Sequence, residues 1–411
     1  MTVLEQPGLA YHPAPPPAWK PRTDAAPLLP DPEPYRVLGT SAAGGTAHAR
    51  RAMGEAEAGL LRELYTALVT GRRYNQQATT LTKQGRLAVY PSTTGQEACQ
   101  VAAARALRRQ DWLFPSYRDT LAVVARGVDP VQALTLLRGD WHTGYDPAEH
   151  RIAPLCTPLA TQLPHAVGLA RAARLKGDDV VALAMVGDGG TSEGDFHEAL
   201  NFAAVWRAPV VFLVQNNGYA ISVPLAKQTA APSLAHKAVG YGMPGRIVDG
   251  NDVVAAYDVL TEAVERARGG GGPTLVEAVT YRMDAHTNAD DATRYRTDSE
   301  IEPWRAHDPI ALLERELTDR GLLDEAGTAA ARAAAEELAA GMRERLHADA
   351  ELDPVDLFTH VYAEPTQQLR AQESLLRAEL EAELQAELEA EPQAEPQPEP
   401  QAELSAGEEE R

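Results

Sequence analysis

The stretch VVALAMVGDGGTSEGDFHEALNFAAVWRAPVVFLVQNNGYAIS, Val180 to Ser222, constrains the fold more than any other part of this chain. Val180–Val186 and Val210–Val214 are short apolar runs rich in β-branched residues, the pattern of inner strands in a parallel sheet. Between them lie a glycine turn carrying Asp188 and a helical stretch holding Glu198, Asn201 and Ala203–Trp206. Such a β-α-β unit brings the ends of two adjacent parallel strands into one crevice, where these sheets bind ligands. The expected class is α/β, a mostly parallel sheet flanked by helices on both faces.

Asp188 and Asn217 stand at the two strand ends. A carboxylate and an amide oxygen are hard ligands, suited to Mg²⁺ or Ca²⁺ and not to zinc. Gly187, Gly189 and Gly190 let the backbone turn tightly and approach a ligand closely. The following helix would aim its amino end at the same place, which favours a phosphate. Two common phosphate motifs do not apply: GxGxxG would need glycine at Ser192, and no GxxxxGK[ST] occurs nearby. On these residues alone an ordinary strand-to-helix turn followed by an Asn-Gly loop stays open.

Composition enters as a set of exclusions. Only 2 cysteines, Cys99 and Cys156, rule out a disulfide scaffold or a thiolate zinc cluster. A net charge of -21 argues against non-specific nucleic-acid binding. Residues 371–411, with 13 Glu and 2 Arg, carry -11 of that charge. No apolar run reaches membrane-spanning length, and no basic segment followed by an apolar one opens the chain. The expectation is a cytoplasmic protein without membrane contact.

Three segments follow. Residues 1–45 are proline-rich from Pro7 to Pro34, an arm either disordered or laid extended over a neighbouring surface. Residues 46–370 form the folded domain. Residues 371–411 are an acidic, low-complexity tail whose first half continues a helix from Leu369 and whose end, Pro392–Pro400, does not. Within the domain, Ala56–Thr70 reads as a helix with Leu60, Leu61, Leu64 and Leu68 on one face, followed by a polar segment to Gly85. A second helix opens at Thr94-Gly95-Gln96-Glu97, Asp111–Thr120 is a loop between helices, and Trp141–Pro158 is irregular. Thr161–Lys176 is helical, and strands at Ile247–Asp249 and Thr274–Tyr281 bracket a helix over Asp252–Arg268. Residues 282–300 lack periodicity and read as a mobile polar loop beside a charged ligand, before closing helices Pro309–Arg320 and Glu325–His347.

Gly187-Asp188-Gly189, followed about thirty residues later by Asn216-Asn217, resembles the signature of thiamine-diphosphate enzymes. The longer string GDGGTSEGDFHEALNFAA…QNNGYAIS is similar to the alpha subunit of the decarboxylating component of 2-oxo acid dehydrogenases. That family includes branched-chain 2-oxo acid, pyruvate and acetoin dehydrogenases, and the likeness runs from about Leu60 to Gln372. The resemblance implies the thiamine diphosphate-binding fold, with Mg²⁺ held by Asp188, Asn217 and the backbone carbonyl of Tyr219. It places Gly187, Gly189, Gly190, Tyr117, Arg118 and His286 at the cofactor diphosphate, and Leu159 against the cofactor's reactive region. The residues alone leave Arg118 equally open to a surface salt bridge with Asp119. Gln215 stands where the branched-chain members usually carry arginine, which makes the pocket less positive. His142 matches a histidine that handles protons at the channel mouth. Thr287 aligns with a residue phosphorylated in animal relatives, where added charge would oppose cofactor binding. Thr161 and Gln162 match a K⁺-binding loop in which Cys156 replaces an oxygen donor; His165, His197 and His236 read as structural.

The resemblance also implies partners. The glutamate that activates the cofactor sits on a separate beta subunit, so the expected assembly is α₂β₂, inactive as the isolated chain, serving a lipoylated acyltransferase core. The expected substrate is a branched-chain 2-oxo acid, with pyruvate as the alternative and acetoin further off. A non-catalytic nucleotide-binding subunit and an interaction subunit with a decayed site are the competing classes.

Overall fold

Residues 26–39, 55–140, 142–347, 353–359 and 361–390 are described by a computed structural model. By internal contacts the chain divides into two units, Met1–Ala348 and Asp349–Arg411. The first unit is built on five parallel strands: β1 (Trp112–Phe114), β2 (Ala182–Gly187), β3 (Val210–Asn216), β4 (Gly245–Asp249) and β5 (Thr274–Val279). Their order across the sheet is β1-β2-β3-β5-β4. Gly187 pairs with Gln215, and Asn216 with Val279, so β2, β3 and β5 end side by side.

Alternation along the strands sorts their side chains into two cores. Leu183, Met185, Val211, Leu213, Val276 and Ala278 pack on one face with α1 (Glu55–Lys83), α2 (Glu97–Ala106) and later helix Val253–Arg266. Ala182, Ala184, Val186, Phe212 and Val214 pack on the other with α3 (Gln162–Lys176) and α4 (Gly194–Trp206). With both faces covered, β2 and β3 have almost no polar positions, which is why they read as continuous apolar runs. The expected class is the observed one.

Two expectations change. DWLFPSYRDT is not a loop throughout: Trp112–Phe114 is the edge strand β1, paired Trp112 to Ala182. Three residues before Pro115 are too few to display a strand period. The first helix does not stop at Thr70 but continues to Lys83. Its buried stripe runs on through Gly71, Tyr74, Ala78 and Leu81, and Arg72 bonds Glu97 and Asp308 from the same helix. Gly71 is needed there, because a Cβ would stand 2.7 Å from Leu121.

Of the arm, residues 26–39 take the extended course over a neighbouring surface. Tyr35 N–H donates to the Ile247 carbonyl at 3.0 Å, and Asp249 N–H donates to the Tyr35 carbonyl at 3.1 Å. The Val37 and Leu38 amides both donate to Asp252 at 2.6 Å. The opposite sheet edge is covered similarly, by a bridge between Leu113 and Ile152. The rest of the proline-rich arm, Trp141 and the end of the tail from Glu391 lie outside the described residues. In the second unit, helix Gln367–Ala390 bears out the helical first half of the tail. No helix among the described residues is long and apolar enough to cross a membrane.

Candidate active site

The carboxyl ends of β2 and β3 open into a cavity of about 250 Å³. Its wall brings together Tyr117, Arg118, Leu159, Gly187, Asp188, Gly189, Gly190, Gln215, Asn217, Tyr219 and His286. Ala160, Gln162 and Ile221 join them from the same segments, and Gln96 and Arg282 from elsewhere in the chain. Cavities that enclose a whole drug-sized ligand run to roughly 300–1,000 Å³, so this one suits one end of a cofactor.

Asp188 follows directly on β2 and is 1% exposed. Its carboxylate accepts from Gln228 Nε2 at 2.7 Å, and among the described residues no ion pair forms on it. Burial pushes the carboxyl pKa up, against the Gln228 bond and the more distant Arg282. A buried carboxylate in that condition lacks a counter-charge. Asn217, at the end of β3, donates Nδ2 to Gln96 Oε1 at 3.0 Å. Its Oδ1 receives the Tyr219 N–H at 3.3 Å, and the Tyr219 carbonyl accepts from Arg282 at 3.3 Å.

These donors fit a magnesium-bound diphosphate. Among the described residues no group of three or more His, Cys, Asp or Glu gathers to hold a metal by itself. One carboxylate, one amide and one carbonyl are the hard, incomplete set that Mg²⁺ accepts when phosphate oxygens supply the rest. A Cβ at Gly187 would meet nothing within 4 Å, so the backbone there faces open cavity. Gly189 and Gly190 are glycine for packing: added Cβ atoms would press on Ala220 and on Val186.

Arg118 is 4% exposed and directs its guanidinium to the Ser92 carbonyl at 2.9 Å and to His286. The salt bridge with Asp119 does not form; Asp119 instead accepts from Ser116, Gln100 and Gln215. Arg118 reaches His286 Nδ1 at 3.0 Å and the His286 carbonyl at 2.9 Å. A guanidinium only donates, so Nδ1 is the acceptor and the imidazole proton sits on Nε2. Burial, with Arg118 and Arg282 nearby, lowers the His286 pKa to about 4. The ring is therefore a neutral N–H donor at physiological pH.

The polar 282–300 segment is tied down more firmly than its sequence suggests. Arg296 bonds the carbonyls of Arg282, Met283 and Asp284. Asp290 accepts from the His286 N–H at 2.7 Å and from Tyr295 Oη at 2.5 Å. Thr287 is half-buried beside this cluster. Two cavity residues stand in the left-handed region without being glycine, Ala160 at φ 65° and Ile221 at φ 54°. For a β-branched residue that conformation is strained, and such strain gathers at functional sites.

Of the other sequence-predicted residues, Gln162 lines the cavity and the rest do not. His142 is exposed on its loop, away from the cavity wall, and its Nδ1 accepts the Gly144 N–H at 3.0 Å. The Thr161 hydroxyl donates to Asp195 at 3.1 Å, and Gln162 Nε2 donates to the Met185 carbonyl at 2.6 Å. Cys156 donates to the Pro158 carbonyl at 3.1 Å. His197 and His236 pair with Tyr241 and Ser233, as structural histidines do. Sequence reasoning missed Ile221, two residues past Tyr219, and Gln96, Gln228 and Arg282, which reach the site through tertiary contacts.

Hard oxygens at adjacent strand ends, with a buried guanidinium and a neutral imidazole on the same cavity, define a cofactor-diphosphate enzyme of the thiamine diphosphate-binding fold. The family described as "Dehydrogenase E1 component" matches residues 65–348, and the chain belongs to that family. The family implies dependence on thiamine diphosphate. The 3-methyl-2-oxobutanoate dehydrogenase subunit alpha of Mycobacterium tuberculosis (strain H37Rv) is 49% identical over 320 residues, 78% of this chain and 87% of that protein. The pyruvate dehydrogenase E1 component subunit alpha of Staphylococcus aureus (strain N315) is 42% identical over 264 residues, 64% of this chain and 71% of that protein.

Proposed function

We propose that this chain is the alpha subunit of a branched-chain 2-oxo acid dehydrogenase, binding thiamine diphosphate and Mg²⁺ at the β2–β3 crevice. The observation that carries the reading is the buried Asp188 carboxylate, with no ion-pair partner among the described residues, beside Asn217 at adjacent strand ends. The substrate class rests on likeness to the mycobacterial 3-methyl-2-oxobutanoate dehydrogenase subunit.

Thiamine diphosphate, when bound, supplies the electron sink for decarboxylating a 2-oxo acid. The chain's own contribution is placement and electrostatics. Asp188, Asn217 and the Tyr219 carbonyl would hold the metal, and Asp188 would cancel part of its charge. Arg118 and the His286 Nε2–H would take diphosphate oxygens, with His286 kept neutral by its cationic neighbours. Leu159 and Ile221, both on the cavity wall and partly exposed, would screen the cofactor from water. Tyr117 stacks edge-on to His286, ring centroids 5.9 Å apart, and steadies it. His142 lies outside the lining of this cavity. The cavity is too small for a whole cofactor, which supports a site completed by a beta subunit in an α₂β₂ assembly serving a lipoylated acyltransferase core. The proposed compartment is the cytoplasm.

A pyruvate dehydrogenase alpha subunit is the second reading, favoured by the neutral Gln215 and the short 141–158 segment. Each methylene is worth only about 1–3 kcal/mol in such a pocket, so a preference is expected and not exclusion. The test is kcat/KM of the reconstituted alpha-beta enzyme for 3-methyl-2-oxobutanoate, 4-methyl-2-oxopentanoate and pyruvate. The branched-chain acids should lead; pyruvate ahead by about tenfold would put the second reading in place of the first.

A further inference from the structure

Behind the metal-facing oxygens lies a run of buried amides with a fixed direction. Asp119, fully buried, accepts through Oδ1 from Gln215 Nε2 at 2.6 Å. The same oxygen accepts from Gln100 Nε2 at 3.0 Å, and Oδ2 takes the Ser116 N–H at 2.8 Å. With its Nε2 committed to Asp119, Gln215 turns Oε1 to Gln96, which donates Nε2 at 2.9 Å, and to Gln100, whose Nε2 reaches it at 3.0 Å. Gln96 therefore has Oε1 left for the other side, where Asn217 donates Nδ2 at 3.0 Å. Asn217 then turns Oδ1 to the crevice side, where it also receives the Tyr219 N–H at 3.3 Å. Gln96 and Gln215 are each 1% exposed, so no bulk water can repair a wrong orientation.

We propose that Asp119, Gln215 and Gln96 form a directional relay that sets the amide of Asn217 with its oxygen towards the metal position. Gln96 and Gln215 are then positioning residues acting through Asn217. A carboxylate accepts only, an amide accepts at one end and donates at the other, and so the acceptor at Asp119 sets each orientation up to Asn217, where the Tyr219 N–H on Oδ1 favours the same one. This inference rests on the reading of Asp188 and Asn217 as metal ligands.

The relay also explains how a neutral residue can occupy position 215. Arginine there would satisfy Asp119 but present only donors to Gln96. Gln96 would have to turn its oxygen to the guanidinium and its NH₂ to Asn217. Asn217 would then meet donor with donor, or flip and aim NH₂ at the metal. A carboxylate at position 96 removes the conflict, because it accepts from both neighbours. Conversely, Gln96→Glu alone sets two acceptors against each other at Gln215 Oε1.

The experiment uses the assembled alpha-beta complex and measures the Kd for Mg²⁺ by titration calorimetry at saturating thiamine diphosphate. Gln215→Arg and Gln96→Glu should each weaken Mg²⁺ binding by about tenfold, the scale of one buried donor or acceptor left unsatisfied. The double variant should bind at least about tenfold tighter than the weaker single variant, a coupling that a structural role or an added charge alone would not produce. Circular dichroism and subunit stoichiometry identify a variant that has simply failed to fold, in which case Gln96→Leu takes its place and should show the same weakening. The relay is overturned if a folded single variant binds Mg²⁺ as the parent does, or if the double variant gains less than that. Asp188→Ala, run in parallel, separates the two levels. If it binds Mg²⁺ normally, the metal reading itself fails; if it alone loses binding, the metal reading stands and the relay falls.

Discussion

Each end of the sheet buries an aspartate, and the two are treated in opposite ways. At the amino end, Asp111 is matched: Arg268 meets one oxygen at 2.6 Å, and the Val181 and Arg108 amides donate at 2.9 and 2.8 Å. Arg268 also spans to Asp179 at 2.7 Å, so the charges there close on themselves. At the carboxyl end, Asp188 accepts from the Gln228 amide and from backbone N–H groups, and among the described residues no ion pair forms on it. The Oε1 atoms of Gln228 and Gln162 and the Nε of Arg282 are buried nearby without a hydrogen-bond partner among the described residues. A completed ion pair holds a fold together, whereas an incomplete one is a place prepared for something that arrives later.

Exchanging each aspartate for alanine should separate the two roles. Asp188→Ala in the assembled enzyme should abolish Mg²⁺-dependent thiamine diphosphate binding while leaving the melting temperature of the cofactor-free protein no lower. Normal cofactor affinity by calorimetry would sink the contrast at once. Asp111→Ala should act the other way, costing about 1–3 kcal/mol of stability by leaving the buried Val181 amide without its acceptor, while Arg268 keeps Asp179. Denaturant unfolding reads that loss, and the fraction still folded should bind cofactor as the parent does.

A subtler difference lies in pH. A carboxyl whose pKa rises on folding contributes stability below the ordinary carboxyl range, and that share is lost as pH climbs through the raised value. The metal-free assembly should therefore lose stability through that window because of Asp188. Asp188→Ala should flatten the slope, and Mg²⁺ with thiamine diphosphate should cancel it. Melting curves across that range, with and without metal, would show the idea wrong if the slopes coincide. The smallest effect is expected furthest from either aspartate: removing residues 377–411 should leave turnover of the assembled enzyme nearly unchanged. A large loss of turnover or of subunit association would make the acidic tail a docking element.

The sequence made one of these ends far more legible than the other. Asp188 and Asn217 stand out because each follows a strand whose apolar run ends abruptly in polar residues. Their proximity follows from pairing Gly187 with Gln215. Gln96 and Arg282 carry no such mark, since a buried amide or guanidinium in a polar segment looks the same as an exposed one. Arg72 and Arg73 mimicked the end of a helix, because the partner that lets Arg72 continue, Asp308, lies more than two hundred residues away. β1 escaped notice for want of length. The 282–300 segment seemed mobile because its anchors are backbone carbonyls, which no side-chain pattern announces.

The arm that pairs Tyr35 with the outer edge of β4 has a consequence beyond geometry. A bare parallel edge offers its amides and carbonyls to any passing strand, including one from a second newly made chain. By occupying that edge, a short peptide ahead of the domain turns a seam between molecules into one within a molecule. How concentrated this protein can become before it begins to clump is therefore governed by residues with no part in its chemistry.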